Sequence, residues 1–228
     1  MSELEIHGQE RRSESAAPSS PAMGDPLPVA YALFAFALAV YGIRFASVSA
    51  ATLSAGPATV ALNYAVLIAG IAETLAGILA VIKGSAYPGY VTSVFGIWLI
   101  GFYLLITSGA ASKEFTPDAL AWYVLVLIVP VAIMAVPAAI HREIAFTVAF
   151  VALILLLLLL GLGYHNLNDA LSGAAASGKP PAVSTAVDLV KASSWFGFIA
   201  AAAIWWVFAR EVYQATGLLR ARRPRSAG

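Results

Sequence analysis

The sequence predicts an all-α, polytopic membrane protein with six transmembrane helices and both termini in the cytoplasm. Hydrophobic residues make up 61% of the 228 residues and charged residues only 11%, which is far from the composition of soluble proteins. Six apolar segments follow one another along the chain, each near the ~20 residues that a helix needs to cross ~30 Å of hydrocarbon. Lys and Arg are divided unequally between the two sides that these segments define.

The first element opens with an acidic residue and two prolines, Asp25, Pro26 and Pro28, ahead of an unbroken apolar run. Asp is a favoured N-cap residue, and Pro at the first helical position gives up only a donor that the helix leaves unpaired anyway. Phe34 and Leu38 then lie four residues apart on one face of the predicted helix. We interpret this stretch as the mouth of a membrane helix.

The chain divides into a membrane domain and two tails. Residues 1–24 mix Glu, Arg, Ser, Pro and Gly with almost no large apolar residue, which predicts a disordered cytoplasmic tail. Residues 25–217 form the six-helix domain, and residues 218–228 form a basic cytoplasmic tail. The predicted spans are 27–46, 60–82, 86–106, 119–140, 144–163 and 186–209.

The connections between the spans set the orientation. Segments 83–85 and 141–143 are so short that they predict tight hairpins on the side of the termini, whereas 47–59, 107–118 and 164–185 lie on the opposite side. The side of the termini carries Arg11, Arg12, Lys83, Arg142, Arg210, Arg220, Arg222, Arg223 and Arg225, and the opposite side carries Arg44, Lys113, Lys179 and Lys191. Because cytoplasmic loops are enriched in Lys and Arg, both termini are expected in the cytoplasm.

Small residues and prolines indicate how the helices pack. Gly70 and Gly77 on span two and Gly197 on span six predict close approach of helix backbones. Pro130 and Pro137 remove two backbone donors from span four and are expected to bend it.

Two polar positions stand out against the apolar background. Glu73 lies near the middle of span two, where an ionised carboxylate costs on the order of 2.5 to 3.5 kcal/mol on insertion scales. It must therefore face a partner, face water or carry a proton, and both a functional site and an interhelical hydrogen bond stay open. Asp188 and Lys191, three apart at the outer end of span six, are expected to pair, and Lys191 is also placed to attract an anion to the mouth.

The sequence offers no catalytic, metal or cofactor site. Cysteine is absent, which excludes disulfides and thiolate chemistry. His7 lies in the tail, and His141 and His165 lie at opposite membrane faces, so no histidine pair is expected to share a metal. No Gly-rich phosphate loop is present, and the basic tail follows a hydrophobic helix rather than forming a nucleic-acid surface. We therefore expect no enzyme activity, no cofactor and no nucleic-acid partner.

Four motifs in order along the spans carry a resemblance to a known family. They are Asp25-Pro26-Leu27-Pro28, similar to an Asn-Pro-Ala-Pro signature; residues 70–77 followed by Lys83-Gly84; Phe95-Gly96-Ile97-Trp98; and Trp195-x-Gly197 with Glu211 sixteen residues after the Trp. In these motifs the region 25–217 resembles the acetate uptake transporter family, also called succinate–acetate permeases, of the YaaH/Gpr/Fun type.

The resemblance implies a homohexamer in the plasma membrane, in which each protomer encloses its own path for small monocarboxylates. The substrate would be chiefly acetate, with succinate in some members. Family members narrow the path with a Phe, a Tyr and a Leu, which fall on Phe34, Phe95 and Leu153 when the segments are matched. Glu73 becomes the candidate proton carrier for a symport mechanism.

Three positions depart from the family pattern. Asp25 replaces the signature Asn, Phe95 replaces the Tyr, and Glu73 stands where relatives often carry an uncharged amide. All three changes make the path less favourable for a bare anion. Two alternatives therefore stay open: a channel for urea, short amides or another neutral solute, and a membrane sensor or assembly protein that transports nothing.

Overall fold

The computed structural model of the protein describes residues 24–53, 59–109, 111 and 116–218, and within these ranges it contains helices and no β-strand. Six helices are long and apolar enough to cross a membrane, which confirms the predicted fold class of a multi-pass, all-α membrane protein. They are α1 (Leu27–Ala46), α2 (Thr59–Ile82), α3 (Ala86–Leu104), α4 (Pro117–Ile140), α5 (Ile144–Ser177) and α6 (Ser184–Ala215).

The helices alternate in direction, so the bundle has two distinct sides. We call the side where α1 begins and α6 ends the termini side, and it also holds the two short connections. We call the opposite side the far side. A 3₁₀ turn, Ala50–Thr52, follows α1 there, and a π-helical turn, Leu105–Gly109, continues α3.

α1 starts with the predicted residues, but its N-cap position lies one residue later than predicted. The Leu27 N–H donates to Asp25 Oδ1 at 3.0 Å, so the Asp25 carboxylate satisfies one of the helix's free donors. By backbone geometry, however, Pro26 occupies the N-cap position, and Pro28 lies in the first turn. The prolines therefore shape the entry into α1, and the aspartate completes its hydrogen bonding.

The predicted ends of span five and span six are wrong. Residues 164–177, expected in a loop, continue α5 as helix up to Ser177, and α6 runs from Ser184 to Ala215. Side-chain bonds within the extension of α5 join Asn166 Nδ2 to the Leu162 carbonyl at 2.9 Å and Ser177 Oγ to the Gly173 carbonyl at 2.7 Å. The helix ends at Gly178, whose positive φ of 69° suits a residue without a Cβ. The drop in hydrophobicity at residue 164 thus does not mark the end of the helix.

The six helices pack as a closed ring in the order α1 to α6. Neighbours along the chain from α1 to α3 and from α4 to α6 are in backbone proximity, and α6 packs on α1. Between α3 and α4, long side chains form the contact: Tyr87 Oη donates to the Met134 carbonyl at 2.5 Å, and Tyr123 Oη to the Trp98 carbonyl at 2.9 Å. The ring surrounds an axis that runs from one side of the bundle to the other.

The predicted glycine contacts are present between α2 and α3. A Cβ at Gly77 would lie 2.6 Å from Ser93 N, and one at Gly70 would lie 3.0 Å from the Gly96 carbonyl oxygen. These two backbones therefore approach as closely as glycine allows, in the manner of small-residue interfaces in membranes. α4 stays helical through both of its internal prolines.

Candidate functional site

Cavities formed by the described residues follow one another along the axis of the ring. A far-side cavity of about 620 Å³ and a termini-side cavity of about 350 Å³ occupy its two ends. Between them lie a central cavity of about 60 Å³ and a smaller pocket of about 30 Å³. The two smaller cavities thus lie between the two larger ones.

The central cavity is lined only by apolar and aromatic side chains. They come from α1 to α5 and are Phe34, Ala37, Leu38, Tyr41, Leu62, Val66, Phe95, Trp98, Leu99, Phe102, Leu127, Leu153, Leu156, Leu157 and Leu160. No side chain here supplies a charge. A solute in this cavity gains apolar contacts and loses most of its water.

Phe34, Phe95 and Leu153, predicted from three different spans, meet in the structure. All three are buried and line both the central cavity and the 30 Å³ pocket, so they form the partition between the two. The rings of Phe34 and Phe95 lie 5.2 Å apart between centroids, tilted by 39°. We call these three residues the constriction.

The three residues meet because they lie at the same depth. Phe34 comes seven residues after Leu27 at the start of α1, and Phe95 and Leu153 come nine residues after the starts of α3 and α5. At 1.5 Å per residue, each lies about 10 to 14 Å from the termini-side end of its helix. The bundle thus presents one ring of apolar side chains across its axis.

Glu73 lies beside the constriction, on its termini side. Its side chain is 3% exposed and lines the 30 Å³ pocket together with Phe34 and Thr92. Its Oε2 atom has no hydrogen-bond partner among the residues that the structure describes. This oxygen therefore forms no interhelical hydrogen bond to a described residue, and the carboxyl lines the 30 Å³ pocket.

The termini-side cavity is rich in charged groups. Asp25, Glu143 and Glu211 line it together with Arg210 and His141. Arg210 lies 3.8 Å from Glu143 Oε2 and 3.2 Å from Glu211 Oε1. Asp25, predicted at the mouth, lines this cavity, while Pro26 and Pro28 are half-buried beside it and do not line the cavity.

The far-side cavity contains a cation that the sequence reasoning did not single out. Arg44, near the end of α1, is 5% exposed and lines this cavity. Lys191, predicted at this mouth, is half-buried on α6 and is not part of the cavity wall, and it forms no ion pair with Asp188 within the described ranges. The available signal was that Arg44 falls inside an apolar span with no acidic residue one turn away.

No group of three or more His, Cys, Asp or Glu side chains that could hold a metal occurs in the part of the chain that the structure describes. Within the described residues, the geometry provides a small apolar central cavity between two larger cavities that contain charged groups, and the Glu73 carboxyl lies beside the constriction.

Comparison with known proteins finds a matching family model and a solved structure of similar fold. The model of the GPR1/FUN34/yaaH family matches residues 7–219. A solved structure described as the bacterial acetate channel SatP is similar with a TM-score of 0.66 and 17% sequence identity, covering 89% of this chain and 98% of that one. No curated protein sequence matches the chain.

Proposed function

Because the chain belongs to the GPR1/FUN34/yaaH family, we propose that it is a plasma-membrane channel or transporter for small monocarboxylates, chiefly acetate. The family and the structural neighbour are channels or transporters and not enzymes. The similar fold of an acetate channel supports the substrate class. The unequal distribution of Lys and Arg supports an orientation with both termini in the cytoplasm.

The observation that carries the proposal is the apolar constriction between two larger cavities that contain charged groups. Phe34, Phe95 and Leu153 separate a central cavity of about 60 Å³ from the pocket that contains Glu73. A passage of this size suits a solute of a few heavy atoms. Its apolar lining favours a solute with a methyl group over one that is polar on all sides.

The same lining poses an electrostatic problem for a carboxylate. A carboxylic acid with a pKa of about 4 to 5 is more than ~99% ionised at pH 7. An anion that sheds its water in the constriction finds no compensating charge there. The solute therefore crosses as the acid together with a proton, or as a partly dehydrated anion during brief wetting.

Glu73 is the group that suits proton-linked passage. It is the carboxyl nearest the constriction, it is buried, and one of its oxygens is free to bond a solute. A proton held by Glu73 can be shared with a carboxylate that arrives at the narrow point. The transported species is then neutral where the path is least polar.

The proposed assembly is a homohexamer with one path per protomer. The outer surfaces of the helices are apolar, with exposed Val126, Val129 and Ile133 on α4 and Trp195 and Trp206 on α6. Such surfaces suit contact with lipid and with neighbouring protomers. Succinate, which some relatives are expected to carry, would have to bring a second carboxylate through the same constriction.

A flux assay tests the proposal. Purified protein in liposomes is supplied with labelled acetate, succinate or urea, and initial uptake is compared with protein-free liposomes. Acetate flux well above the control is the expected result. Urea flux without acetate flux would favour a neutral-solute channel, and no flux of any solute would favour a membrane sensor.

A further inference from the structure

Arg44 occupies an environment that is unusual for a buried cation. It lies in the last turn of α1, where the helix dipole favours positive charge. The residue is only 5% exposed. Arg stays charged in proteins, so burial normally requires an anionic partner. None of the ion pairs formed by the described residues includes Arg44.

The guanidinium is held in place by neutral oxygens. Its Nε donates to Thr59 Oγ1 at 2.8 Å, and its Nη2 donates to the carbonyls of Thr52 at 2.7 Å and Leu53 at 3.5 Å. The group lies 4.8 Å from the centre of the Phe45 ring. These contacts orient the side chain without an anionic partner among the described residues, and Nη1 donates to none of those residues.

Two further polar groups line the same far-side cavity. Tyr164 is buried, lines the cavity together with Arg44, and its hydroxyl forms no hydrogen bond to any residue in the described ranges. Asn63 lines the same cavity, where its amide nitrogen can donate to a carboxylate, while its Oδ1 forms no hydrogen bond to a described residue. A charged donor, a hydroxyl and an amide thus converge on one cavity of about 620 Å³.

We propose that Arg44, with Tyr164 and Asn63 beside it, forms a binding site for the carboxylate group of the solute at the far-side end of the path. The inference rests on the proposed function and adds to it the place where the anion is recognised before it enters the apolar passage. One carboxylate oxygen accepts from Arg44 Nη1, and the hydroxyl of Tyr164 is available to the same group. The methyl end of the solute then faces the central cavity.

With this site, the two ends of the path differ in charge. Among the described residues, Arg44 is the charged group that lines the far-side cavity, whereas the termini-side cavity contains Asp25, Glu143 and Glu211 against Arg210. A carboxylate is attracted at the first cavity and repelled at the second. In the orientation proposed above, the attractive cavity faces the outside of the cell.

Binding and flux are measured separately on Arg44→Gln, Arg44→Lys and the wild type. Binding is followed by saturation-transfer NMR of the acetate methyl group with detergent-purified protein, and flux by labelled acetate in liposomes. A charge-assisted hydrogen bond contributes enough that Arg44→Gln should raise the half-saturating acetate concentration about ten- to hundredfold. Arg44→Lys keeps the charge and should lie between Arg44→Gln and the wild type, which also guards against a folding defect in Arg44→Gln.

Two controls distinguish recognition from other effects. Lys179→Gln removes one exposed far-side cation that lies outside the cavity and should leave binding unchanged. Glu114→Gln removes the acidic residue of the connection between α3 and α4, which lies outside the described residues; if this variant binds acetate more tightly than the wild type, Glu114 competes with acetate for Arg44 and the proposal is overturned. Acetamide, the neutral analogue, should cross equally in all variants.

The outcomes separate this inference from the proposed function. Equal half-saturation in Arg44→Gln and the wild type, or no acetate binding in the wild type, would overturn the carboxylate site whatever the flux. Absence of carboxylate flux in the wild type would overturn the proposed function. Weakened binding together with unchanged acetamide flux would support the site.

Discussion

Phe34 and Phe36 lie two residues apart on α1, and only Phe34 faces the interior. Phe34 is 6% exposed at the constriction, whereas Phe36 is 45% exposed on the outer surface. We expect Phe34→Leu to widen the passage, because it replaces a ring with a smaller side chain of the same polarity. Flux of butyrate relative to acetate should rise severalfold in liposomes.

Phe36→Leu is the matched control for this change. It removes the same atoms from the same helix, but from a side chain that does not line the path. The ratio of butyrate to acetate flux should stay at the wild-type value. Equal ratios in Phe34→Leu and Phe36→Leu would contradict the assignment of the constriction.

Glu73 permits a test of proton linkage. Glu73→Gln keeps the shape of the side chain and replaces the ionisable carboxyl with an amide that cannot take up or release a proton in this pH range. If Glu73 delivers the proton, acid conditions should stimulate acetate uptake by the wild type severalfold more than uptake by the variant, measured from mildly acidic to neutral pH. A pH profile shared by both proteins would remove Glu73 from the mechanism.

At the scale of single residues, the sequence predicted well how deep in the bundle a side chain lies. It predicted poorly which way that side chain points. Counting along each span places Phe34, Phe95 and Leu153 at one depth, and the structure brings them together. Lys191 and Arg44 are both cations near the far side. The sequence placed Lys191 at the mouth, whereas it is Arg44 that lines the far-side cavity. Which way a side chain points depends on the rotation of its helix within the ring, and that rotation is set by packing rather than by local pattern.

Among the helices, α2 and α3 pack most closely through glycine. A Cβ at Gly96 would lie 2.8 Å from the Gly70 carbonyl oxygen, so Gly96→Ala forces two backbones apart. Overpacking of this kind typically destabilises by about 1 to 3 kcal/mol. We expect a lower midpoint of thermal unfolding in detergent for Gly96→Ala.

Gly173 provides the control on α5. It is exposed, and a Cβ there would meet nothing within 4 Å. Because Ala is favoured over Gly within a helix by up to about 1 kcal/mol, Gly173→Ala should leave the midpoint unchanged or raise it. A fall in the midpoint equal to that of Gly96→Ala would show that the close approach of α2 and α3 is not what Gly96 provides.

The lengths of α5 and α6 show what hydrophobicity can and cannot predict about an element. An apolar run indicates which part of a helix lies in hydrocarbon. The first four helices end within a few residues of the predicted span ends. Beyond the membrane, a helix continues as long as its backbone and capping groups permit. The polar residues that precede Gly178 do not end α5. The helix ends at Gly178, which has a left-handed backbone conformation.

The topology of the whole molecule has a direct test, because the chain contains no cysteine. Lys179→Cys places a single exposed thiol on the far side, and Ser85→Cys places one on the termini side. If both termini are cytoplasmic, a membrane-impermeant maleimide added to intact cells should label the cysteine at 179 and not the one at 85. The reverse pattern would invert the proposed orientation.

The central claim is that the solute crosses through the axis of each protomer. Ala37 is 4% exposed and lines the central cavity, so a single Ala37→Cys variant places a unique thiol in the path, and Phe36→Cys places one on the outer surface. The decisive measurement is acetate flux in liposomes before and after a methanethiosulfonate reagent, with modification verified by mass spectrometry. The account predicts that flux through Ala37→Cys falls severalfold and returns with a reductant, while Phe36→Cys is unaffected; unchanged acetate flux through fully modified Ala37→Cys would contradict it.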